Sequence, residues 1–280
     1  MKLLVTGAAG MLGHDVMIAA GNAGHEVVGF GRAELDVADP DSLKRRFDLE
    51  RPDVVINCAA WTDVDGAESA EEAAFAINGR GAGNVAGAAA EIEARVVHVS
   101  TDYVFDGAKG AAYVESDQPA PLSAYGRTKL AGEEAVAAAN KRHFVVRSAG
   151  LYGVGGRNFV ETMLRLSESQ KEVTVVRDQV VSPTYTWHLA YGIVRLIEGI
   201  EYGIHHMAAA GQCSWYEFAR EIFEQAKVEC RVLSITGEEF GAAAPRPAFS
   251  ALASQREHAI RLPGWQDGVA GYLGQRQAEL

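Results

Sequence analysis

The chain has 280 residues, of which 48% are hydrophobic and 22% are charged, a composition typical of a globular protein with a buried core. The 37 acidic residues exceed the 26 basic ones and give a net charge of −11, and no Lys/Arg-rich run offsets it, which excludes nucleic acid and anionic membrane surfaces as partners. No apolar run approaches the roughly 18 residues that a membrane helix needs. Because a predicted strand begins at residue 2, we expect no signal peptide.

The three cysteines predict a reducing environment. Cys58, Cys213 and Cys230 are odd in number and lack the spacing of metal ligands, so we expect free thiols and a cytoplasmic protein. The pair His205-His206 is not expected to bind a metal, because adjacent residues of a strand point to opposite faces. No metal site is predicted.

Short β-branched runs alternate with longer Ala-rich segments through the first half of the chain. The pattern predicts strands at residues 2–6, 26–30, 53–58, 95–100 and 143–147, and helices near residues 10–22, 40–50, 67–91 and 124–139. Near-continuous Val/Ile strands that alternate with helices are typical of a parallel sheet covered on both faces. Right-handed crossovers then give a doubly wound, Rossmann-type sheet.

The second half is less regular. We expect a helix at 159–168, a strand at 172–176 and a helix near 186–198, and a capping box of Ser214 and Glu217 should start a further helix. From Ile204 onward the βαβ rhythm is lost. The predicted fold is therefore α/β, with a dinucleotide-binding domain of residues 1–150 and about 172–200, and a smaller C-terminal α/β substrate-binding cap of residues 151–171 and about 201–280.

A glycine-rich loop follows the first predicted strand and opens a helix. Gly7 permits a tight turn, Gly10 lets the backbone approach a pyrophosphate at the helix N-terminus, and Gly13 lets helix and strand pack closely. Met11 and Leu12 complete the loop. This spacing in strand–loop–helix context predicts a dinucleotide site.

The residues after the second strand indicate which dinucleotide is bound. An acidic residue at this place accepts from the ribose 2′-hydroxyl of NAD, whereas a cation accommodates the 2′-phosphate of NADP. Arg32 stands there, so NADPH is favoured and NADH remains possible. Asp36 and Val37 are expected beside the adenine.

Tyr125 and Lys129 stand four positions apart at the start of a predicted helix, which places both side chains on one helix face. A nearby cation favours the phenolate, so we expect Lys129 to lower the pKa of Tyr125 and to make it a useful acid–base group. Tyr125 could pass a proton to a carbonyl oxygen of the substrate. Thr101 ends a strand at the carboxyl edge of the sheet, where such folds bind ligands, and its hydroxyl could donate to that carbonyl oxygen.

These features together resemble the extended short-chain dehydrogenase/reductase family, and within it the dTDP-4-dehydrorhamnose reductases. The segments that carry the resemblance span nearly the whole chain: the glycine loop and residues 51–60, 64–68, 100–107, 125–129, 178–179, 182–185 and 246–250. The resemblance implies NADPH-dependent reduction of the C4 keto group of a deoxythymidine-diphosphate sugar, completing dTDP-L-rhamnose. The nucleotide-sugar is thus the expected partner, and the chain is expected to be a monomer or a homodimer.

The resemblance also implies roles for individual residues. Tyr125 is the expected proton donor, Lys129 holds the nicotinamide ribose, and Thr101 completes the triad. Other positions are expected to line the crevice: Ala59, Ala60 and Trp61 beside the cofactor, Thr62 and Val64 beside the substrate, Asp102 and Tyr103 at the sugar, and Asn158 near the diphosphate.

One position departs from the family pattern. Gly150 stands where relatives carry a tryptophan that packs on the substrate, so the pocket is expected to be wider there or to receive another aromatic side chain. Of Trp61 and Tyr152 we favour Tyr152, because alternate residues of an extended segment face the same side. The aromatic group Trp215, Tyr216 and Phe218 is instead expected in the core of the cap.

An anionic substrate needs local cations in so acidic a protein. The candidates are Arg157, Lys171 and Arg246, of which Arg246 is favoured because it belongs to a matching segment. Two alternatives remain open: another nucleotide-sugar 4-ketoreductase or an epimerase, and a non-catalytic NADP-binding regulatory subunit.

Overall fold

A computed structural model describes residues 1–279. In the first half, helices and strands alternate as the hydrophobic pattern predicts. They are β1 (Lys2–Thr6), α1 (Met11–Asn22), β2 (Glu26–Phe30), α2 (Pro40–Glu50), β3 (Val54–Asn57), α3 (Val64–Ser69), α4 (Glu71–Phe75), α5 (Ala82–Glu91), β4 (Arg95–Thr101), α6 (Ala124–Ala139) and β5 (His143–Ser148).

The second half begins with a helix and continues in shorter strands. The elements are α7 (Phe159–Ser167), β6 (Glu172–Val176), β7 (Val180–Val181), α8 (Thr186–Leu196), β8 (Gly203–His206), β9 (Cys213–Ser214), α9 (Trp215–Ala226), β10 (Arg231–Ile235), α10 (Gly237–Phe240) and α11 (Trp265–Glu279). The predicted capping box is confirmed: the Ser214 hydroxyl accepts from the Glu217 backbone N–H, and the Glu217 carboxylate accepts from the Ser214 N–H. Local side-chain chemistry thus sets where α9 starts.

Six parallel strands form the central sheet, in the order β2-β1-β3-β4-β5-β8. The chain moves from β1 outward to β2 and then returns to the other side of β1 with β3. This reversal is a topological switch point, and the loops at the carboxyl ends of β1 and β3 diverge there to leave a crevice. The predicted doubly wound, Rossmann-type sheet is confirmed.

The two faces of the sheet bury different layers. On one face, Leu3, Val5 and Ile56 pack on the apolar sides of α1 and α8. On the other, Leu4, Val55 and Val96 pack on α2, α5 and α6. Because successive strand residues alternate between these layers, strands buried on both faces read as unbroken apolar runs.

A second core lies outside the central sheet, between α7, α9, α11 and the strand β6. The predicted division of the chain was wrong in two places here. β6 pairs with β10 in a small separate sheet, and it does not belong to the dinucleotide-binding sheet. β8 is the sixth strand of the central sheet, although it was expected in the cap. Sequence pattern predicts a strand but not its partner, which long-range packing decides.

The helix predicted over residues 67–91 is interrupted. α3 and α4 are followed by a π-helical segment, Ala76–Gly81, before α5 begins. The extra residue turns Asn78 inward, where its amide accepts from the Trp61 N–H at 2.8 Å and donates to the Trp61 carbonyl at 3.1 Å and to Thr128 at 3.1 Å. The side-chain amide ties the loop after β3 to α6.

Candidate active site

A crevice of 710 Å³ opens at the carboxyl ends of the central strands and extends toward the second core. This size is typical of sites for small-molecule ligands. Its walls combine the loops after β1, β2, β3 and β4, the start of α6, and the segments that lead into the cap. The sequence-predicted dinucleotide loop and the Tyr125–Lys129 pair meet in this one space.

The backbone geometry of the loop after β1 requires glycine at two positions. Gly7 has a φ of +68°, and a Cβ placed there would lie 2.6 Å from the Ala59 backbone nitrogen. At Gly13 a Cβ would lie 2.3 Å from the Gly7 carbonyl oxygen. Either side chain would force β1, α1 and the loop after β3 apart, so both glycines allow the close packing predicted from the motif.

The N-terminus of α1 fits a dinucleotide phosphate. Gly10 is the N-cap residue and offers no side-chain cap. The backbone N–H groups of the first turn, which includes Met11, Leu12 and Gly13, therefore face the crevice without an intrahelical partner. Free N–H groups and the positive end of the helix dipole together make an anion site.

Arg32 is the second residue after β2, is exposed and lines the crevice. Among the residues that the structure describes, it has no ion-pair partner, so its guanidinium is available to a bound phosphate. Asp36 and Val37 line the same end, and the Val37 carbonyl accepts from Asn84 at 3.1 Å. All three lie where the sequence argument expected the adenosine half of a cofactor.

Thr101 and Tyr125 meet at the centre of the crevice. The Thr101 hydroxyl donates to the Asp102 carboxylate at 3.1 Å and accepts from the Tyr103 N–H at 3.2 Å. A hydrogen bond with the Thr101 side chain also acts to lower the pKa of the Tyr125 phenol. The Tyr103 ring packs edge-on against Tyr125 at 5.7 Å between centroids and limits its movement.

The effect expected of Lys129 on Tyr125 was wrong for this geometry. Burial is the largest influence on Tyr125 and raises its pKa, so the phenol is protonated at neutral pH. The Lys129 ammonium donates to the Val99 carbonyl at 2.6 Å. A protonated phenol is nevertheless the form that a proton donor needs.

Asp102 is a buried carboxylic acid at the edge of the crevice. Burial raises its pKa to about 6, opposed by hydrogen bonds from Ser250 and Thr101. The Ser250 hydroxyl donates to Asp102 at 2.5 Å. Because Ser250 also lines the crevice, this contact links the end of β4 to the C-terminal segment.

The loop after β3 presents most of its predicted residues. Ala59, Ala60, Thr62 and Val64 line the crevice. Trp61 does not: its indole N–H donates to the Asp63 carbonyl at 2.9 Å, and its ring packs on the alanines between α3, α4 and α6. The expectation that Trp61 lines the cofactor site was therefore wrong.

The aromatic residue beside Gly150 is Trp215, and the expectation for Tyr152 was wrong. Tyr152 is fully buried in the second core and stacks with Tyr185 at 5.8 Å. A Cβ on Gly150 would lie 3.4 Å from the Trp215 ring, which packs on Phe159 at 4.7 Å and lines the crevice. Phe218 is a core residue as expected, whereas Trp215 is a wall of the site.

Two of the residues expected at the substrate have hydrogen-bond partners within the protein. Asn158 caps α7 through Glu161 and donates to the Gly153 carbonyl at 2.8 Å, so its side chain holds a loop. Arg246 pairs with Asp65 at 2.8 Å and is not itself a lining residue, but its guanidinium interacts with the hydroxyl of Tyr103, which lines the crevice. Arg157 does line it, is exposed, and has no ion-pair partner within residues 1–279, which makes it the available cation at this end.

Several crevice residues gave no recognisable signal of their own. Ser148 ends β5 opposite Thr101 in register, and its hydroxyl is buried. Val181 lies in β7 and Trp215 at the start of α9, whereas Gln179, from a segment that matches the family, directly precedes β7. Ser250 lies in a segment that matches the family. It is 148 residues from Asp102 in the sequence, and only the fold brings the two side chains into contact.

The two adjacent histidines have structural partners. His206 Nδ1 lies 3.0 Å from the carbonyls of Tyr113 and Ala253, and His205 Nε2 lies 2.7 Å from the Glu201 carbonyl. Within residues 1–279 no three His, Cys, Asp or Glu side chains gather into a group suited to a metal ion. In the same range, no helix combines the length and apolar character needed to cross a membrane.

Comparison with known proteins gives a consistent result. The spore coat polysaccharide biosynthesis protein SpsK of Bacillus subtilis is 42% identical over 279 residues, covering 99% of this chain and 98% of that protein. The dTDP-4-dehydrorhamnose reductase of Mycolicibacterium smegmatis is 41% identical over 284 residues, covering 98% and 86% of the two chains.

A solved structure extends this similarity to three dimensions. The crystal structure of dTDP-4-dehydrorhamnose reductase from Bacillus anthracis in complex with NADP superposes with a TM-score of 0.95 at 38% identity, covering 98% of this chain and 99% of that one. The family model described as the RmlD substrate binding domain matches residues 1–278. On the evidence of sequence, fold and crevice together, the chain belongs to the RmlD substrate-binding-domain family.

Proposed function

We propose that this protein is an NADPH-dependent reductase that converts the C4 keto group of dTDP-4-dehydro-L-rhamnose to an alcohol, giving dTDP-L-rhamnose. The observation that carries the proposal is the meeting of Thr101, Tyr125 and Lys129 with the Gly7–Gly13 loop in one crevice. Relatives of about equal length that are named dTDP-4-dehydrorhamnose reductase support the substrate.

The nucleotide end of the crevice would hold the cofactor. The first-turn N–H groups of α1 bind the diphosphate, and Arg32 binds the 2′-phosphate that distinguishes NADPH from NADH. Asp36 and Val37 lie beside the adenine, and Ala59 and Ala60 cover the dinucleotide from the loop after β3. NADPH, when bound, supplies the hydride.

The proton comes from Tyr125. Burial keeps its phenol protonated, so it can donate to the carbonyl oxygen as negative charge develops there. When substrate is bound, the Thr101 hydroxyl turns its one proton from Asp102 to the same oxygen and fixes the position of that oxygen. Lys129, whose side chain is itself buried, holds the nicotinamide ribose and restores the proton of Tyr125.

The sugar and its diphosphate would occupy the end nearest the cap. Asp102 and Tyr103 contact the hexose, and Thr62 and Val64 line its other side. Arg157 supplies the positive charge that an anionic nucleotide-sugar needs in a protein with a net charge of −11. The free thiols of Cys58, Cys213 and Cys230 are consistent with a cytoplasmic enzyme.

A turnover assay with the purified protein tests this function. With NADPH and dTDP-4-dehydro-L-rhamnose we expect steady oxidation of NADPH and formation of dTDP-L-rhamnose, identified by mass and by comparison with authentic product. Turnover of other 4-keto nucleotide-sugars at a higher kcat/KM would point to a different ketoreductase. Sugar conversion without net NADPH oxidation would indicate an epimerase, and NADPH binding without any turnover would indicate a regulatory subunit.

A further inference from the structure

Three polar side chains form a buried row beneath the crevice. Thr6 of β1 is paired in register with Asn57 of β3, and Asn57 with His98 of β4, so the three side chains point to the same face of the sheet. Thr6 and His98 are 0% exposed and Asn57 is 2% exposed. Buried polar groups of this kind are expected to be fully hydrogen-bonded. One donor of known identity therefore determines which atoms donate and which accept along the rest of the row.

A backbone donor fixes the orientation of the Asn57 amide. The Ala59 N–H donates to Asn57 Oδ1 at 3.2 Å, and the Thr6 hydroxyl donates to the same oxygen at 2.7 Å. A backbone N–H cannot accept, so the atom that it meets must be the amide oxygen. The amide nitrogen therefore faces His98, with Asn57 Nδ2 at 3.2 Å from His98 Nδ1.

This order in turn selects the tautomer of His98. Asn57 Nδ2 can only donate, so His98 Nδ1 accepts and carries no proton. Burial lowers the pKa of His98 well below its ordinary value, so the ring is neutral and its proton sits on Nε2. That N–H points to Lys129 Nζ at 3.5 Å.

The ammonium of Lys129 thus faces a donor on this side. Its other partner is the Val99 carbonyl at 2.6 Å, and Lys129 itself is 2% exposed. A charged Lys129 places two N–H donors against each other, whereas a neutral amine accepts the His98 N–H through its lone pair. The row of Thr6, Asn57 and His98 therefore favours the neutral amine form of Lys129.

Other groups act on Lys129 from its surroundings. Burial lowers the pKa of Lys129 to about 8, and this lowering is opposed by Glu133 from the next turn of α6 and by Cys58, the first residue after β3. Glu133 is itself paired with Arg147 at 2.6 Å, so much of its charge is neutralised. Tyr125, one turn earlier on α6, is the remaining titratable group on that helix face.

We propose that His98, oriented by Asn57 and Thr6, is a positioning residue that presents Nε2–H to Lys129 and makes its ammonium a readier proton donor to Tyr125. This rests on the proposed function. Tyr125 loses its O–H proton to the new C4 alkoxide and becomes a phenolate; the proton that restores it leaves Lys129 Nζ. The resulting amine accepts the His98 N–H and regains a proton from water.

The first test is the pH profile of the complete protein. In wild type the reduction rate should fall as pH rises through the pKa of Lys129. In His98→Leu the opposing donor is gone, the ammonium is held more tightly, and the basic limb should move up by about half to one pH unit, with a several-fold lower plateau. His98→Gln, whose amide can place an N–H where Nε2 lies, should restore the wild-type limb.

His205→Gln is the matched control, because His205 is also buried on the central sheet but bonds the Glu201 carbonyl, away from Lys129. Its basic limb should not move. A merely structural His98 would lower the plateau or the melting temperature of His98→Leu without shifting the limb. An unmoved limb in folded His98→Leu overturns the proposal.

A second measurement does not depend on that variant folding or on turnover. ¹⁵N NMR of the imidazole rings in wild type, with the His98 signals assigned by their loss in His98→Gln, should show the proton on Nε2 and none on Nδ1. A proton on Nδ1, or a doubly protonated ring at neutral pH, contradicts the proposal. If the tautomer is as expected and wild type does not turn over the sugar, the proposed function fails and the orientation of His98 stands.

Discussion

The nucleotide side of the crevice and its cap side are built in different ways. The nucleotide side consists of residues 7–13, 31–37 and 58–60, three short segments that each follow a strand of the central sheet. The cap side consists of residues 179–181, Trp215, Pro247 and Ser250, which come from separate parts of the second half. The nucleotide side is built from backbone N–H groups and glycines, which have no side chain. The cap side is built from side chains that long-range packing brings together.

The difference explains what each side can vary. A backbone site at a helix N-terminus depends on glycines at fixed spacing, since a Cβ at Gly7 or Gly13 would collide with backbone atoms. On the cap side, a side chain from another element can fill the space that a small local residue leaves open. Trp215 beside Gly150 is an example: the wall of the crevice there is supplied by the start of α9. We expect cofactor choice to be set locally and substrate choice by such combinations.

The largest effect should come from the residue where both sides meet. Tyr125→Phe removes the proposed proton donor and leaves the nucleotide side intact, so kcat should fall about 10²–10⁴-fold while NADPH affinity is unchanged. Steady-state kinetics and a cofactor titration measure the two quantities. Tyr191→Phe, which removes a hydroxyl bonded to Asn22 on the surface, is the control. A loss below about tenfold, or roughly 1.4 kcal/mol, would mean that another group donates the proton.

The nucleotide side alone is tested by Arg32→Ala. Loss of charge-assisted contacts to the 2′-phosphate should weaken NADPH binding about tenfold or more and leave NADH binding nearly unchanged. Calorimetric titration with both cofactors measures this. Arg45→Ala, an exposed arginine of α2 away from the crevice, controls for the general loss of charge. Equal weakening for both cofactors would rule out the 2′-phosphate contact.

The cap side alone is tested by Trp215→Leu. A substrate that rests on this ring should lose a contact of about 1–3 kcal/mol, so KM for the nucleotide-sugar should rise several-fold while KM for NADPH is constant. Trp187→Leu is the matched control, because its ring packs on Tyr191 and does not line the crevice. An unchanged KM for the sugar would show that Trp215 shapes the wall without contacting substrate.

The smallest effect separates the cap core from the cap wall. Tyr152 donates a long hydrogen bond to the Trp265 carbonyl at 3.4 Å inside the second core. Tyr152→Phe should lower the free energy of unfolding by about 1 kcal/mol and leave both KM values unchanged. Denaturant unfolding and steady-state kinetics measure this. A rise in KM for the sugar would return Tyr152 to the binding site.

The two sides also differ in how far the sequence predicts them. The doubly wound sheet and the nucleotide side follow from local signals: strand periodicity, glycine spacing and the cation after β2. The interpretation of Tyr152 failed for a physical reason, since alternation holds only for extended backbone. Gly150 has a φ of +52°, which breaks the alternation and turns Tyr152 into the second core.

Long-range pairing accounts for the other differences. Arg246 was favoured as the cation for the anionic nucleotide-sugar, but Asp65 lies 181 residues earlier in the chain and pairs with it. Likewise, the ladder partner of β6 is β10, and no local pattern distinguishes that pairing from one with the central sheet. Charge and hydrophobicity predict that such residues have partners, and only the fold decides which ones.

Hydride transfer to C4 is the central claim, and an isotope label tests it directly. The purified protein is incubated with dTDP-4-dehydro-L-rhamnose and NADPH deuterated at the transferring position of the nicotinamide, and the product is analysed by mass spectrometry and NMR. We expect one deuterium per product molecule, located at C4 of the sugar, with one NADPH oxidised for each. Product that forms without deuterium, or that carries it at another carbon, would contradict reduction of the C4 keto group.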